Sequence, residues 1–504
     1  MSNHKTAPSV PITGLDLDQN AGVSLYRQLY EGLRRAILIG ELSPGVKLPS
    51  TRALAADLSI GRNTVVNAYE QLLAEGYLEG RTGSGTYIAA ELPDHLLRVR
   101  SDQKKSAKSR TALRGLSNRG QLLAGTTVSE PHDFAIPRAF RPGLPAMEIF
   151  PFKTWSRLWN RRWRSPSLDL LGYGDPAGYR PLREIISSYL GAVRGVRCEA
   201  DQVIMIAGSQ QALDIVTRVL LNEGDVVWVE DPGYPGARGA FQGAGAEVVP
   251  VPVDSQGLDI ATGIDRAPNA RLAYVTPSHQ YPLGITMTLS RRLELLDWAA
   301  RNHSWVLEDD YDSEYRYAGL PIAALQGLDQ EDSVIYVGSF SKTLFPSLRI
   351  GYMVVPQDLV DTFVAARELI DRGSPSLEQA VLADFMVEGH FERHIRRTRS
   401  LYAERQEALV ESVERDLRGL MEVRPSSSGM ELIGRLAKGV DDRLAQRLAA
   451  QHDVEATPLS IYYFEPPEQG GLLLGYTGVD EAQIATGTRR LAEAFSSLGS
   501  INAA

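Results

Sequence analysis

The sequence predicts a multidomain chain, a small helical unit closed by a β-hairpin and then a large α/β domain on a mostly parallel sheet. Apolar residues recur at helical spacing in three short stretches before Gly76, and an alternating stretch with a glycine-rich turn follows directly. From about residue 170, short apolar runs alternate with helical stretches, the pattern of a sheet covered on both faces. The charge pattern also divides the chain. Lys+Arg exceed Asp+Glu by 16 to 11 over residues 1–120, against 37 to 51 over the remainder, so the net charge of −9 conceals a basic front.

Residues 1–20 read as an unstructured lead-in, and the first domain spans residues 22–89. Leu25, Leu29, Leu33, Ile37 and Leu38 mark a first helix ending at Gly40, before a turn at Ser43-Pro44-Gly45. Ser50 is the expected N-cap of a second helix that turns Leu54 and Leu58 inward. A third helix runs from about Arg62 to Glu75 and buries Val65, Ala68, Tyr69 and Leu72. Tyr77–Arg81 and Thr86–Ile88, joined through Thr82-Gly83-Ser84-Gly85, make the hairpin. Residues 90–128 are polar and poor in apolar periodicity, a basic flexible linker with eight bases and one acid between Arg98 and Gly120. The rest, 129–504, forms the large domain. Its strands are Val203–Ile206, Val226–Val229, Leu272–Val275, Trp305–Leu307 and Val334–Val337, with helices at Gln210–Leu221 and Leu289–Arg301 between them. A large part covers about 170–360, and a mostly helical small part about 361–504.

Composition removes several classes. Hydrophobic residues at 43% and charged residues at 23% are those of a globular protein. No apolar run approaches the roughly 18 residues of a membrane span, and the polar start, Met1–Val10, lacks a secretory pattern. One cysteine, Cys198, excludes a disulfide framework and a multi-cysteine metal cage. The expectation is a cytoplasmic protein without a metal site.

Three helices and a hairpin within so short a span make a winged helix-turn-helix. The third helix presents Arg62, Asn63, Thr64 and Asn67, side chains able to donate to base edges and phosphates. Arg81, Thr82, Gly83 and Gly85 make a basic wing tip able to approach a phosphate backbone closely. Leu48-Pro49-Ser50-Thr51-Arg52, Arg62-Asn63-Thr64-Val65, Ala68-Tyr69, Glu75-Gly76 and Gly83-Ser84-Gly85-Thr86 resemble the GntR-type winged helix over about residues 23–89. That resemblance implies binding to double-stranded DNA and adds Ser50 and Arg52 as phosphate contacts.

The second half carries Ser339-Phe340-Ser341-Lys342, then Pro346 and Arg349-Ile350-Gly351, directly after an expected buried strand. A lysine among apolar groups and cations can lose its proton and form a Schiff base. Ser339 and Arg349 suit a phosphate dianion. Gly208-Ser209-Gln210-Gln211, between a strand and a helix, offers backbone amides for the same group. Tyr234 lies just past the next strand and can stack on a flat ring. Asp309, at a strand end, can hold a pyridinium proton, and Tyr311 can bond a phenolic oxygen.

In this order, and with Tyr173–Gly178 and Pro181-Leu182-Arg183, these segments resemble a fold-type I pyridoxal-phosphate aminotransferase over about residues 130–504. The two halves together resemble the MocR-type regulators of the GntR superfamily. That resemblance implies pyridoxal 5'-phosphate (PLP) on Lys342, Asp309 at the ring nitrogen, Tyr311 at the phenolic oxygen and Tyr234 over the ring. Ser209, Gln210, Ser339 and Arg349 would hold the phosphate. It further implies a homodimer, an operator with two half-sites, and a small amine, an amino acid or PLP itself as effector. A working aminotransferase with an appended DNA-binding domain is the rival reading.

Two segments depart from the aminotransferase pattern. Gln280-Tyr281-Pro282-Leu283-Gly284 lacks the asparagine that touches the ring oxygen, leaving His279 or Tyr281 to replace it. Leu472–Tyr476 lacks the arginine that pairs a substrate carboxylate.

Overall fold

The computed structural model describes residues 17–18, 22–81, 84–90, 92, 115–124, 138–319 and 322–501. The chain divides into two compact units at Leu116/Ser117. In the first, α1 (Leu25–Leu38), α2 (Thr51–Asp57) and α3 (Arg62–Ala74) surround one apolar core. Leu29, Leu33, Leu54, Val65, Ala68, Tyr69 and Leu72 are buried there. Ser50 caps α2, its Oγ accepting from the Ala53 amide at 3.2 Å. The buried Tyr69 hydroxyl donates to the Pro49 carbonyl at 3.0 Å, which fixes α3 against the start of α2. β1 (Leu78–Arg81) pairs antiparallel with β2 (Gly85–Ile88), Leu78 opposite Ile88. Along the free edge of β2 runs a further extended stretch, through Leu48 N–H to Thr86 O and Ile88 N–H to Val46 O, each 2.9 Å. The hairpin reading from sequence did not include that third segment.

The second unit is built on an eight-stranded sheet. Its strands are β3 (Val203–Ile206), β4 (Val226–Asp231), β5 (Glu247–Asp254), β6 (Gly257–Leu258), β7 (Leu272–Val275), β8 (Trp305–Asp310), β9 (Val334–Ser339) and β10 (Gly351–Val354). The order is β3-β10-β9-β8-β7-β4-β5-β6. β9, β8, β7, β4 and β5 run parallel, whereas β10 is antiparallel to both neighbours and β6 to β5. Side chains alternate between faces as the pleat requires. Val227 and Val229 join the core under helices Ser209–Leu220 and Pro235–Gly243. Trp228, between them, turns the other way and stacks on Trp298 of helix Leu289–Asn302, ring centroids 3.9 Å apart.

The C-terminal part adds an antiparallel sheet in the order β11-β12-β14-β13, from β11 (Met421–Val423), β12 (Glu431–Leu436), β13 (Thr457–Pro458) and β14 (Gly471–Gly475). Helices His390–Asp416, Asp442–Gln451 and Glu481–Ile501 accompany it. Within the stretch read as linker, residues Asn118–Ala124 form a helix. Arg119 Nε donates to Gly243 O at 3.1 Å, satisfying a carbonyl at the end of helix Pro235–Gly243. This tie to a helix terminus 124 residues away leaves no periodic signal in a basic segment. Among the described residues, no helix is long and apolar enough to cross a membrane.

Candidate functional site

The α/β site lies where the parallel strands end, the side of an open sheet on which ligand crevices form. β8 closes on Glu308-Asp309-Asp310, and the three carboxyls have separate uses. Glu308 accepts from the Leu325 and Gln326 amides at 2.8 and 2.9 Å. Asp310 is paired with buried Arg194 at 2.8 Å and accepts from the Tyr336 hydroxyl at 2.6 Å. Asp309 faces the other way and accepts only the Tyr274 hydroxyl, at 2.8 Å, among the described residues. Burial pushes its carboxyl up to about 7, against that hydrogen bond and the charge of nearby Lys342.

Lys342 sits in the turn after β9, and its Nζ donates to the Gly143 carbonyl at 3.1 Å. Gly143 has φ +71°, and a Cβ there would lie 2.2 Å from Nζ, so only glycine permits the approach. Ser339 Oγ accepts from the Ser341 amide at 3.2 Å, while the buried Ser341 Oγ has no partner among the described residues. Arg349 (φ +51°) lays its guanidinium by Gly208, whose added Cβ would meet it at 3.6 Å. Ser209 and Gln210 follow at the start of helix Ser209–Leu220. Gln210 Oε1 accepts from the Tyr234 hydroxyl at 3.4 Å. Burial pushes that phenol up to about 12.

Aromatic residues line the site. Tyr281 stands edge-on to Tyr234, Tyr311 and Tyr462, with centroids 6.2, 5.6 and 5.2 Å away. Its hydroxyl pairs with that of Tyr462 at 2.9 Å. The Tyr311 hydroxyl lies 3.0 Å from His279 Nδ1, which also faces Asp312 Oδ2 at 2.8 Å. Burial pulls His279 down, but Asp312 wins and the imidazole ends above its usual range. Gln280 turns away, donating to Glu230 Oε2 at 3.2 Å and to Pro232 O at 2.8 Å.

Sequence reasoning missed Gly143, Tyr274, Asp312, Tyr462 and Glu431. Glu431 opens β12 and is 6% exposed. Burial pushes it up to about 7, opposed by the positive charges of Lys342 and His279 and by the nearby Gly143 backbone. Only Asp312 lay near a quoted motif. Gly143 and Tyr274 meet Lys342 and Asp309, the charge of Lys342 reaches Glu431, and Tyr462 meets Tyr281, all from segments remote in the chain.

In the first unit, Ser50, Arg52, Arg62, Asn63 and Asn67 are exposed and Thr64 is half-buried. Arg81 is held by Glu79 at 2.6 Å and lies 4.5 Å from the Tyr87 ring centroid. Lys47 approaches the same ring at 5.8 Å, a cation beside the wing that the sequence reading did not single out. Thr82 and Gly83 lie outside the described residues.

Such a helix-turn-helix head with an aminotransferase-type sheet defines a class of transcriptional regulator, and the comparisons agree. Residues 25–88 match the bacterial regulatory proteins of the gntR family, and residues 162–491 match aminotransferase class I and II. The chain is 44% identical to the "Probable rhizopine catabolism regulatory protein MocR" of Rhizobium meliloti, over 97% of each chain. It is 31% identical to the "HTH-type pyridoxine biosynthesis transcriptional regulator PdxR" of Corynebacterium glutamicum, over 92% of this chain and 94% of the other. Among solved structures, it is similar to LysN, an α-aminoadipate aminotransferase from Thermus thermophilus, with 29% identity and TM-score 0.67 over 78% of this chain and 98% of that one. The chain belongs to the MocR-type regulators, a GntR winged helix joined to a fold-type I aminotransferase-like domain.

Proposed function

We propose that the chain regulates transcription through PLP, with its aminotransferase-like domain sensing a small amine or amino acid, or PLP itself. The observation that carries this is the Lys342 amine at 3.1 Å from Gly143 O, in the crevice that holds the buried Asp309 carboxyl. The residues fit PLP. The Ser341 Oγ, without a partner among the described residues, and the Gly208–Arg349 cradle suit its phosphate, and Asp309 suits a ring cation. When bound, PLP supplies an aldehyde that condenses with primary amines. Lys342 anchors it, Asp309 holds the proton at the ring nitrogen, and Tyr311 with His279 faces the ring oxygen. Tyr234 covers the ring, while Ser209, Gln210, Ser339 and Arg349 bind the phosphate.

The head binds double-stranded DNA through the exposed start of α3, with Arg62, Asn63, Thr64 and Asn67 towards the bases. Ser50, Arg52 and the wing at Arg81, Thr82 and Gly83 meet phosphates. The protein acts as a cytoplasmic homodimer whose two heads read two half-sites. An effector must favour one arrangement of the heads over another to have any effect.

The test is the visible absorbance of purified protein with PLP, in wild type and Lys342→Ala, before and after adding amines. A Lys342-dependent band that shifts with one amine supports the amine sensor. A band indifferent to every amine makes PLP the signal. No band after PLP is added refutes the cofactor reading.

A further inference from the structure

His279 stands in the segment where the aminotransferase pattern has an asparagine, and its ring meets Tyr311 and Asp312. Its neighbours in that segment are engaged elsewhere, Gln280 with Glu230 and Pro232, Tyr281 with the Tyr462 hydroxyl. His279 and Asp312 are 4% and 1% exposed. Two glycines wall the imidazole in. A Cβ added at Gly429 would lie 2.2 Å from Cε1, and one at Gly284 would lie 3.0 Å from Nε2. The packing therefore fixes which edge of the ring faces Asp312.

The partners of the ring decide which nitrogen carries the proton. Asp312 Oδ2 lies 2.8 Å from Nδ1, and a carboxylate only accepts. A carboxyl is ordinarily the stronger acid by about 2.6 pH units, so the proton between them stays on the imidazole. Nε2 is buried without a partner among the described residues, and a proton held there alone would leave Asp312 facing a lone pair. Nδ1 therefore carries a hydrogen whether the ring is neutral or charged. Charges on Glu431 and Arg316 also act on the ring, in opposite directions and each with less effect than Asp312. The Tyr311 oxygen, 3.0 Å from the same nitrogen, accepts from that N–H. Its own hydrogen then points away from the ring and meets no acceptor among the described residues. Burial, with the charges of Asp312, Glu431 and Asp309, holds the phenol well above its usual range, so the hydrogen is kept.

We propose that Asp312 and His279 are positioning residues: by holding a hydrogen on His279 Nδ1 they aim the Tyr311 hydroxyl hydrogen at the ring oxygen of PLP. The proposal rests on the reading of Tyr311 as the partner of that oxygen. His279 thus replaces the missing asparagine through Tyr311, without touching the ring oxygen. In loaded protein, the nitrogen that joins PLP to Lys342 can share its proton with the ring oxygen. Once that proton is lost, the oxygen's charge depends on outside donors, so a hydrogen from Tyr311 favours its loss.

The experiment has two arms, both on the full chain. In cofactor-free protein labelled with ring-15N histidine, NMR should show His279 protonated at Nδ1, its signals identified by their loss in His279→Gln. A proton on Nε2 alone overturns the proposal. In PLP-loaded protein, the visible band is followed across pH and its midpoint read. Tyr311→Phe removes the donor and should raise the midpoint by about one unit, the tenfold effect of a hydrogen bond to a charged group. In Asp312→Leu, Nδ1 faces only the Tyr311 hydroxyl, which donates to it, so the midpoint should rise as well. Loss of the carboxylate's charge would by itself lower the midpoint, so the sign separates the two effects. In a Tyr311→Phe background, Asp312→Leu should no longer raise it. An unmoved midpoint in Tyr311→Phe, or a lowered one in Asp312→Leu, overturns the proposal and leaves PLP on Lys342 standing. Wild-type protein that shows no band with PLP overturns both. The NMR arm and Tyr311→Phe decide even if Asp312→Leu fails to fold.

Discussion

Replacing Asp309 with asparagine tests how the α/β site stores its acid. Without cofactor, burial pushes this carboxyl from 3.8 up to about 7, although the Tyr274 hydroxyl and Lys342 favour its charged form. An acid with a raised value in the folded state binds more protons folded than unfolded. Its contribution to stability is fully present below about pH 4 and is lost as the pH rises through about 7. The gap from 3.8 to about 7 corresponds to about 4 kcal/mol, of which about 3 kcal/mol disappears between about pH 5 and about pH 8. Asparagine cannot ionise, yet its carbonyl oxygen can still accept from Tyr274, now 2.8 Å from Asp309 Oδ2. The assay is urea unfolding of cofactor-free wild type and Asp309→Asn at the two pH values. Glu314 and Glu431, each pushed by burial to about 7, titrate in both proteins and drop out of the difference, while Glu230, raised chiefly by burial and only last by the charge of Asp309, contributes a small remainder of its own. The variant should lose about 3 kcal/mol less than wild type on going from low to high pH. An identical pH dependence in the two proteins refutes the reasoning. PLP provides a second arm, because a ring cation against Asp309 restores the value of its charge. Loaded wild type should therefore flatten towards the variant.

Three other perturbations follow from particular contacts. Gly143→Ala places a Cβ 2.2 Å from Lys342 Nζ at a backbone φ of +71°. It should cost about 1–2 kcal/mol in backbone strain and weaken PLP retention about tenfold, read by absorbance after dialysis. Arg194→Met leaves Asp310, buried and paired at 2.8 Å, without its cation. Thermal or urea unfolding should show a loss of about 3–5 kcal/mol. Arg52→Ala, exposed in α2, should weaken binding to duplex DNA and lower the slope of log affinity against log salt by about 1, measured by fluorescence anisotropy. An unchanged slope would remove Arg52 from the phosphate contacts.

Periodicity exposed the elements that bury a regular stripe. The α3 residues Val65, Ala68, Tyr69 and Leu72 are inside as their spacing requires, and the continuous apolar runs of β3, β4, β7, β8 and β9 are strands. β5 escaped notice because Pro250 and Pro252 interrupt it. It tolerates them near the sheet margin, where its outer neighbour β6 is only Gly257–Leu258. At the α/β site, the residues read from sequence stand at strand ends, in the turns after them or at a helix start, as Asp309, Lys342, Tyr234 and Ser209 do. Tyr274 lies mid-sheet, one strand over from Asp309, and looks like any core tyrosine. Gly143 and Glu431 lie 199 residues before and 89 residues after Lys342, and no local pattern records such a meeting.

The segment around Gly143 binds the chemistry to the architecture. Phe140 is buried and bridges to Gly475 of β14, Arg141 pairs with Glu455, and Leu144 O accepts from the Thr477 hydroxyl. The segment is thus held by the C-terminal sheet and its flanking loops, while Gly143 O takes the Lys342 amine from the turn after β9. A ligand that draws the Lys342 amine elsewhere removes the hydrogen bond between these two parts. Residues 138–144 also lie on the stretch of chain that leads back to the DNA-binding head. Moving a two-state equilibrium from one part in ten to ten parts in one takes about a hundredfold difference in ligand affinity between the states, about 2.7 kcal/mol. One charge-assisted hydrogen bond made in only one state contributes about 1.5–3 kcal/mol. A regulator therefore needs neither turnover nor a substrate arginine: one contact at Lys342 that differs between two placements of this segment supplies a difference of the required size.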